Sequence, residues 1–230
     1  TKLPVRRRPR VVILTTGDEV CQPGTPLAPG KIYDSNTAYL RTRLRQLGIR
    51  STETIRVGDN LEELTNILRR YAGNVEILLT TGGVSVGQKD LMEAAAVAAG
   101  AHVVFHGISM KPGMPTLFAN LGETLLLALS GNPFSAAVPF ELLLRPMLAK
   151  MTGEEGLELR PGTAVAAKDF EKASPSRRFL RAYCSERKVN TPPSQSNGQM
   201  SSIIGCNCLI DVPAGSGAIH VGDPVRLLWL

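Results

Sequence analysis

Five short motifs contain the residues of this chain that could do chemistry. They combine glycines, carboxylates, amides and a lysine, and in chain order they read TTGDEV, KIYDSN, TTGGVSVGQKD, MKPGMP and LSGNPFSAAV. Backbone N–H groups at glycine turns and lysine side chains bind phosphate, whereas carboxylates bind Mg²⁺. The set therefore favours a phosphorylated ligand bridged by a divalent cation, and composition alone also allows a plain sugar-phosphate site.

The third motif predicts a strand, a glycine turn and a helix in succession. Gly82 and Gly83 follow the apolar run 75–79. Without a Cβ atom, they let the backbone take positive φ and turn N–H groups toward an anion. Asp90 precedes the alanine-rich run 91–99, at the position of a helix N-cap. Glycine pairs after strands are common, and the four other motifs are what give this one weight.

The elements that must position these motifs alternate between strand and helix patterns. Ser35 or Asn36 is expected to cap the first helix, and Asn60 with Glu63 forms a capping box for the second. The predicted strands are 10–14, 49–57, 75–80, 101–105, 116–119 and 124–129, and a long helix follows at 133–152. This alternation is typical of an α/β fold with a doubly wound, mostly parallel sheet.

The pattern changes near Gly153. Short β-rich pieces follow, divided by clusters of proline, glycine, serine and asparagine, and no helical period of useful length remains. We therefore predict a basic lead-in at 1–9, an α/β domain at 10–153 and a small, all-β, barrel-like domain at 154–230.

Composition narrows the class of protein. With 230 residues, 43% hydrophobic and 20% charged, the chain can bury one or two cores, and no apolar run is long enough to span a membrane, so a cytoplasmic location is expected. The net charge of +6 favours anionic ligands.

An arginine cluster at 6–10 lacks interleaved aromatics, which favours a solvated lead-in over a nucleic-acid arm. Cys206 and Cys208 are too close for a zinc knuckle, and all four cysteines are expected to be reduced.

The carboxyl edge of the predicted sheet should gather the motifs. In doubly wound sheets the ligand lies beyond the carboxyl ends of the strands, and each motif follows a predicted strand or opens a helix. We therefore expect Glu19, Asp59, Gly83, Asp90 and Lys111 to converge on one pocket.

The ordered motifs resemble the catalytic domain of the molybdopterin molybdenumtransferase family, the MoeA family that includes the gephyrin E domain. The segment with RRFLRA, QMSS, GCNCLIDVP and VGDPVRLLWL is similar to that family's carboxy-terminal β domain. The family also has two amino-terminal domains that are absent from this sequence, so we expect either a fragment or a shorter protein.

The resemblance implies a reaction and a set of site residues. Adenylylated molybdopterin and molybdate would give molybdenum cofactor and AMP, assisted by Mg²⁺. Glu19, Asp59 and Asp90 would hold Mg²⁺ or orient ligands, and Lys111 would hold phosphate. The other residues implied to bind the ligand are Gly82, Gly83, Ser85, Asp34, Asn132, Pro112, Gly113 and Arg181. A homodimer in which Arg181 reaches the partner's site is also implied, as are transient contacts with other enzymes of the pathway.

The chain departs from the family pattern at three positions. Gly107 and Met114 stand where the family often has basic residues, and Asn197 stands where it has serine. Losing one cation from an oxyanion site would weaken binding by about 1.5 to 3 kcal/mol. Arg177 or Arg178 could compensate for the loss.

Other interpretations of the same residues stay open. Asp90 and Asp34 could serve only as a cap and a turn, Glu19 and Asp59 could be solvated, and Arg181 could pair with an acid. His102 and His106 are expected to pack or to be partly exposed. Related functions on the same scaffold are a molybdopterin adenylyltransferase, a nucleotide pyrophosphatase and a non-enzymatic gephyrin-like assembly module.

Overall fold

The computed structural model describes residues 6–84, 90–170 and 173–230. The strands of its first part are β1 Val11–Thr16, β2 Val20–Cys21, β3 Ile32–Tyr33, β4 Thr52–Val57, β5 Ile77–Thr81, β6 His102–His106, β7 Met110–Lys111, β8 Leu117–Leu121 and β9 Thr124–Leu129. The helices are α1 Ser35–Gln46, α2 Leu61–Tyr71, α3 Leu91–Ala98, α4 Pro133–Pro139 and α5 Arg145–Thr152, and the π-helical segment Phe140–Leu144 joins α4 to α5.

Six of these strands form one twisted layer in the order β4-β1-β5-β9-β8-β6. The first four are parallel to one another, whereas β8 runs antiparallel to both β9 and β6. The prediction of a doubly wound, mostly parallel sheet is therefore confirmed. The antiparallel part arises because β8 and β9 are joined by a tight turn at Gly122, which leaves no room for a crossover helix.

Helices cover both faces of this sheet. Alternate residues of β1 enter different cores. Val12 and Leu14 pack with α2 and α3, whereas Val11 and Ile13 pack with α1 and with the helix formed by α4, the π-helical segment and α5. This burial on both faces explains why β1 reads as an uninterrupted apolar run.

The helix caps correct one prediction. Asp34, and not Ser35 or Asn36, caps α1 by accepting a hydrogen bond of 2.9 Å from the Thr37 N–H. Asn60 caps α2 through the Glu63 N–H, as predicted.

The second part of the chain closes into a small barrel. Its strands are β10 Arg160–Ala166, β11 Arg177–Ser185, β12 Lys188–Asn190, β13 Cys208–Val212 and β14 Pro224–Trp229. They pair in the cycle β10-β14-β13-β11-β12, and β12 returns to β10, so the sheet has no open edge within the cycle. The predicted barrel-like β domain is confirmed.

The barrel and the α/β part share an apolar cluster. Met110, Phe134 and Val138 from the first part pack with Phe179 and Leu209 from the barrel. In addition, β7 pairs in parallel with β11, so that two residues of the KPGMP region extend the barrel sheet. Position 153 as the domain boundary stays a prediction.

The arginine-rich start is held against the protein. Arg7 and Arg10 both pair with Glu76, at 2.7 and 3.3 Å, and Arg8 pairs with Glu154. The arginines at 6–8 and 10 are exposed, as expected of a solvated lead-in, and these ion pairs add contacts that the sequence did not predict. All four cysteines are free. Among the described residues, no helix is long and apolar enough to cross a membrane.

Candidate active site

The carboxyl ends of β1, β5 and β9 meet through closely packed loops. Gly82 has a φ of +90°, and a Cβ atom there would lie 2.3 Å from the Thr16 carbonyl oxygen. Gly83 has a φ of +67°, and its Cβ would lie 2.9 Å from the Thr16 hydroxyl. Both positions therefore require glycine for conformation and for space. The positive φ values predicted for this turn are confirmed.

The anion-binding role of the glycine turn stays a prediction, and one of its two glycine N–H groups has a partner within the protein. The Gly82 N–H donates a 3.1 Å hydrogen bond to the Leu129 carbonyl, and the Gly83 carbonyl accepts from the Met92 N–H. The turn thus ties β5 to β9 and α3, and the Gly82 N–H is already used inside the protein. Ser85, which the resemblance placed in the site, lies outside the described residues.

Asn36 links three loops at this edge. Its amide nitrogen donates to the Thr81 hydroxyl at 2.7 Å and to the Gly131 carbonyl at 2.9 Å. Among the described residues, the buried Asn36 Oδ1 and Thr16 Oγ1 atoms have no hydrogen-bond partner. Buried acceptors of this kind are costly unless a ligand or water satisfies them. Sequence reasoning treated Asn36 only as a possible cap, and its burial at 8% exposure was the signal that only a structure could supply.

A cavity of about 290 Å³ opens above these acceptors, and we call it the rim cavity. Besides Thr16 and Asn36, its polar lining includes Glu19, Asp34 and Asn132. Three of the predicted site residues are thus brought together. Asp34 also caps α1, so one carboxylate serves both the helix and the cavity wall.

A second cavity of about 380 Å³ lies where the barrel meets the α/β part, and we call it the lysine cavity. Lys111, Pro112, Gly113 and Asn132 line it, together with Arg178 from β11. Asn132 lines both cavities, so the two are adjacent. Gly113 has a φ of +97°, and a Cβ there would lie 2.5 Å from the Pro139 ring, which explains the glycine of the KPG turn.

The three acids predicted to bind Mg²⁺ do not form one site. Asp90 caps α3 by accepting from the Met92 and Glu93 N–H groups, and its Oδ2 atom lies 3.0 Å from His106 Nε2. Asp59 is exposed, and its backbone N–H donates to Asp18. Among the described residues, no group of three metal-binding side chains comes together. Mg²⁺ binding by Glu19, Asp59 and Asp90 therefore stays a prediction, because an ion that also takes water and substrate phosphates as ligands needs no preformed group of three side chains.

His106 is held between two carboxylates. Its Nδ1 atom lies 2.9 Å from Glu93 Oε2, opposite the Asp90 contact. The Nε2 contact is an ion-pair contact, and Nε2 makes no hydrogen bond to another described residue. Sequence reasoning expected packing or partial exposure, and the structure adds a specific pairing that orients Asp90.

Arg181 is buried within its own chain. Its guanidinium lies 3.9 Å from the centre of the Phe134 ring, and Nη2 donates to the Ser196 carbonyl at 2.8 Å. The residue is 0% exposed, and burial lowers the pKa of its guanidinium from the ordinary value. In this conformation Arg181 packs against Phe134, which lines the lysine cavity, and its contact with a partner subunit stays a prediction.

Comparison with known protein families matches both parts of the chain. Residues 12–150 match the family described as "Probable molybdopterin binding domain", and residues 163–230 match "MoeA C-terminal region (domain IV)".

Similar proteins extend over nearly the whole chain. The molybdopterin molybdenumtransferase of Bacillus subtilis is 33% identical over 99% of this chain and 54% of its own length. Molybdopterin molybdenumtransferase 2 of Mycobacterium tuberculosis is 34% identical over 98% of this chain and 58% of its own length. The crystal structure of the molybdopterin biosynthesis MoeA protein from Pyrococcus horikosii superposes with a TM-score of 0.82 at 26% identity, covering 97% of this chain and 55% of that one.

The chain spans little more than half the length of these relatives. Within that span the order of the two matched regions is the order of the α/β part and the barrel. The chain therefore belongs to the MoeA family, as a molybdopterin-binding α/β domain followed by the carboxy-terminal β domain of that family.

Proposed function

We propose that this chain acts in molybdenum cofactor biosynthesis, transferring molybdenum from molybdate to adenylylated molybdopterin with release of AMP. The observation that carries the proposal is the pair of adjacent cavities, one lined by Lys111 and Arg178 and the other by oxygen-bearing side chains that include Glu19 and Asp34. The names of the relatives, molybdopterin molybdenumtransferases, support the reaction class.

The two cavities would bind different parts of the ligand. Cleavage of a phosphoanhydride asks mainly for charge neutralisation and positioning. Lys111 and Arg178 supply positive charge to the lysine cavity, so anionic groups belong there. The rim cavity is lined by Thr16, Asn36 and Asn132 and by the carboxylates of Glu19 and Asp34, so N–H groups of a heterocycle belong there. Asn132, between the two, contacts the ligand where it passes from one cavity to the other.

Mg²⁺ binding by Glu19, Asp59 and Asp90 stays a prediction from the family resemblance. Mg²⁺ usually keeps several waters and is held by one or two carboxylates together with substrate phosphates. Glu19 lines the rim cavity, so this carboxylate would be available to such an ion beside a bound nucleotide. No step of the proposed reaction is assigned to Mg²⁺.

A homodimer and a cytoplasmic location remain predictions from the family resemblance and the composition. Light scattering of the purified protein measures the first directly.

The proposed reaction is tested by AMP release. The protein is incubated with adenylylated molybdopterin, with and without molybdate, and AMP is quantified by chromatography. We expect molybdate-dependent release that falls at least about tenfold in Lys111→Ala, because a charged hydrogen bond contributes roughly 1.5 to 3 kcal/mol.

Lys150→Ala is the matched control, because Lys150 is an exposed lysine on α5 and lines neither cavity. Its rate should equal that of the unaltered protein. Absence of molybdate-dependent AMP release from the longest natural form of the protein would reject the reaction.

A further inference from the structure

The strand β4 forms one outer edge of the main sheet. Among the described residues β4 pairs with β1 only, so its other side presents backbone N–H and C=O groups that no strand uses. Side chains alternate along the strand. Ile55 and Val57 pack toward α2 and α3, whereas Thr54 and Arg56 project to the side of α1. A further strand can therefore be added at this edge.

A groove of about 470 Å³ lies at this edge, between β4 and α1, and we call it the edge groove. Residues 54–56 of β4 line one side, and Thr37, Ala38 and Arg41 of α1 line the other. Asp34 lines both the edge groove and the rim cavity. The two are therefore neighbours, but the edge groove opens on the outside of the sheet.

Two arginines give the edge groove its positive charge. Arg41 is exposed and forms no hydrogen bond or ion pair with any described residue. Arg56 is also exposed, and its recorded contact is a 2.6 Å hydrogen bond to the Val20 carbonyl. The acidic lining residue is Asp34, whose Oδ1 atom already accepts from the Thr37 N–H. Within the described ranges of the chain, neither arginine is paired with a carboxylate.

The open strand edge favours a polypeptide as the ligand. An extended chain added to an edge strand pairs with its free backbone groups, and side chains on alternate residues of the added strand lie on one face. Carboxylates on that face can each pair with an arginine through two parallel hydrogen bonds. Single-stranded nucleic acid instead binds by stacking bases on aromatic side chains, and no described aromatic residue lines the edge groove.

We propose that the edge groove docks an acidic, extended segment of a partner protein, which adds a strand to β4 and pairs its carboxylates with Arg41 and Arg56. This inference goes beyond the proposed reaction, because the partner binds outside the rim and lysine cavities. Since Asp34 separates the edge groove from the rim cavity, a docked partner lies beside the cavity without occupying it.

The test measures binding of a defined peptide to the full protein. A fluorescein-labelled peptide of about six residues, the length of β4, alternates glutamate and valine, and fluorescence anisotropy gives its Kd at low ionic strength. We expect the double variant Arg41→Glu/Arg56→Glu to raise the Kd about tenfold or more, because each reversal replaces an attraction by a repulsion. Arg160→Glu, the matched control, reverses an exposed arginine of β10 outside the groove and should bind within about twofold of the unaltered protein.

A second peptide separates strand addition from attraction by charge alone. Methylation of alternate backbone nitrogens keeps the carboxylates but removes the donors that pair with β4. We expect this peptide to bind at least about fivefold more weakly, and we expect only the unmethylated peptide to slow amide hydrogen exchange at residues 52–57.

Four outcomes would overturn the docking site. They are no binding of the acidic peptide to the unaltered protein, equal Kd values for the double variant and Arg160→Glu, equal Kd values for the two peptides, and tighter binding of oligothymidylate with the same loss in the double variant. The last outcome would assign the groove to nucleic acid. No arm measures AMP release, so the docking site and the proposed reaction stand or fall separately.

Discussion

Asp90 shows how one residue can serve both the fold and the chemistry. It caps α3 through two backbone N–H groups and also contacts His106. Asparagine caps a helix as well as aspartate, whereas alanine loses about 1 kcal/mol. We expect Asp90→Ala to lower the free energy of unfolding in urea by about that amount, and Asp90→Asn to preserve the cap while removing the charge. If the carboxylate acts on the ligand, both variants lose AMP release; normal turnover by Asp90→Asn would leave Asp90 as a cap alone.

For single residues, the sequence predicted local roles such as helix caps better than hydrogen-bond partners on distant loops. The glycine pair, the Asn60 cap and the Asp90 cap could be read from spacing alone, because each depends on backbone within a few residues. The roles of Asn36 and Gly82 could not, because their partners lie on other loops: Gly131 accepts from Asn36, and Leu129 accepts from Gly82.

Among the elements, the helix formed by α4, the π-helical segment and α5 differs most from its prediction, because the π-helical segment was not expected. Its π-helical segment contains Glu141, which is 1% exposed and accepts hydrogen bonds from Arg43 and Arg145 at 2.7 to 3.0 Å. Periodicity predicted the helix at 133–152 but neither the widened turn nor the pairing of its Glu141 with Arg43 of α1, which lies about 100 residues away along the chain. The two-residue strand β7 could not be predicted for the same reason, because it is defined by its pairing with the distant strand β11.

This buried network should stabilise the α/β part. Removing the charge of Glu141 leaves Arg43 and Arg145 without their shared carboxylate, and breaking a buried ion pair typically costs about 3 to 5 kcal/mol. We expect Glu141→Gln to lower the free energy of unfolding toward that range, since glutamine keeps the shape and some hydrogen bonds. Urea denaturation followed by circular dichroism measures it. Glu154→Gln, which removes an exposed pairing with Arg8, should change stability by less than about 1 kcal/mol, and an equal loss in both variants would contradict a special role for the network.

For the whole molecule, the order of an α/β part and a barrel could be predicted, but their docking could not. Turn residues and strand patterns identify a β-rich segment. They do not show which face of the barrel contacts the α/β part, because side chains along β11 and β13 alternate between the barrel interior and that contact. Leu209 and Ile210 show this division, because the first packs with Phe134 and Met110 and the second packs inside the barrel. The lysine cavity lies at this junction, so docking and ligand binding should be linked.

Substituting these two neighbours separates docking from barrel stability. Leu209→Ala and Ile210→Ala each remove a buried aliphatic side chain, at 2% and 0% exposure, and each should cost about 2 to 5 kcal/mol. Only Leu209→Ala weakens the cluster that holds β7 against β11. We therefore expect faster amide hydrogen exchange at residues 108–114 in Leu209→Ala, with β13 still protected, whereas Ile210→Ala should speed exchange mainly in β10 and β14. Equal exchange of residues 108–114 in the two variants would show that the KPG segment is held by the α/β part alone, and that the barrel reaches the cavity without fixing it.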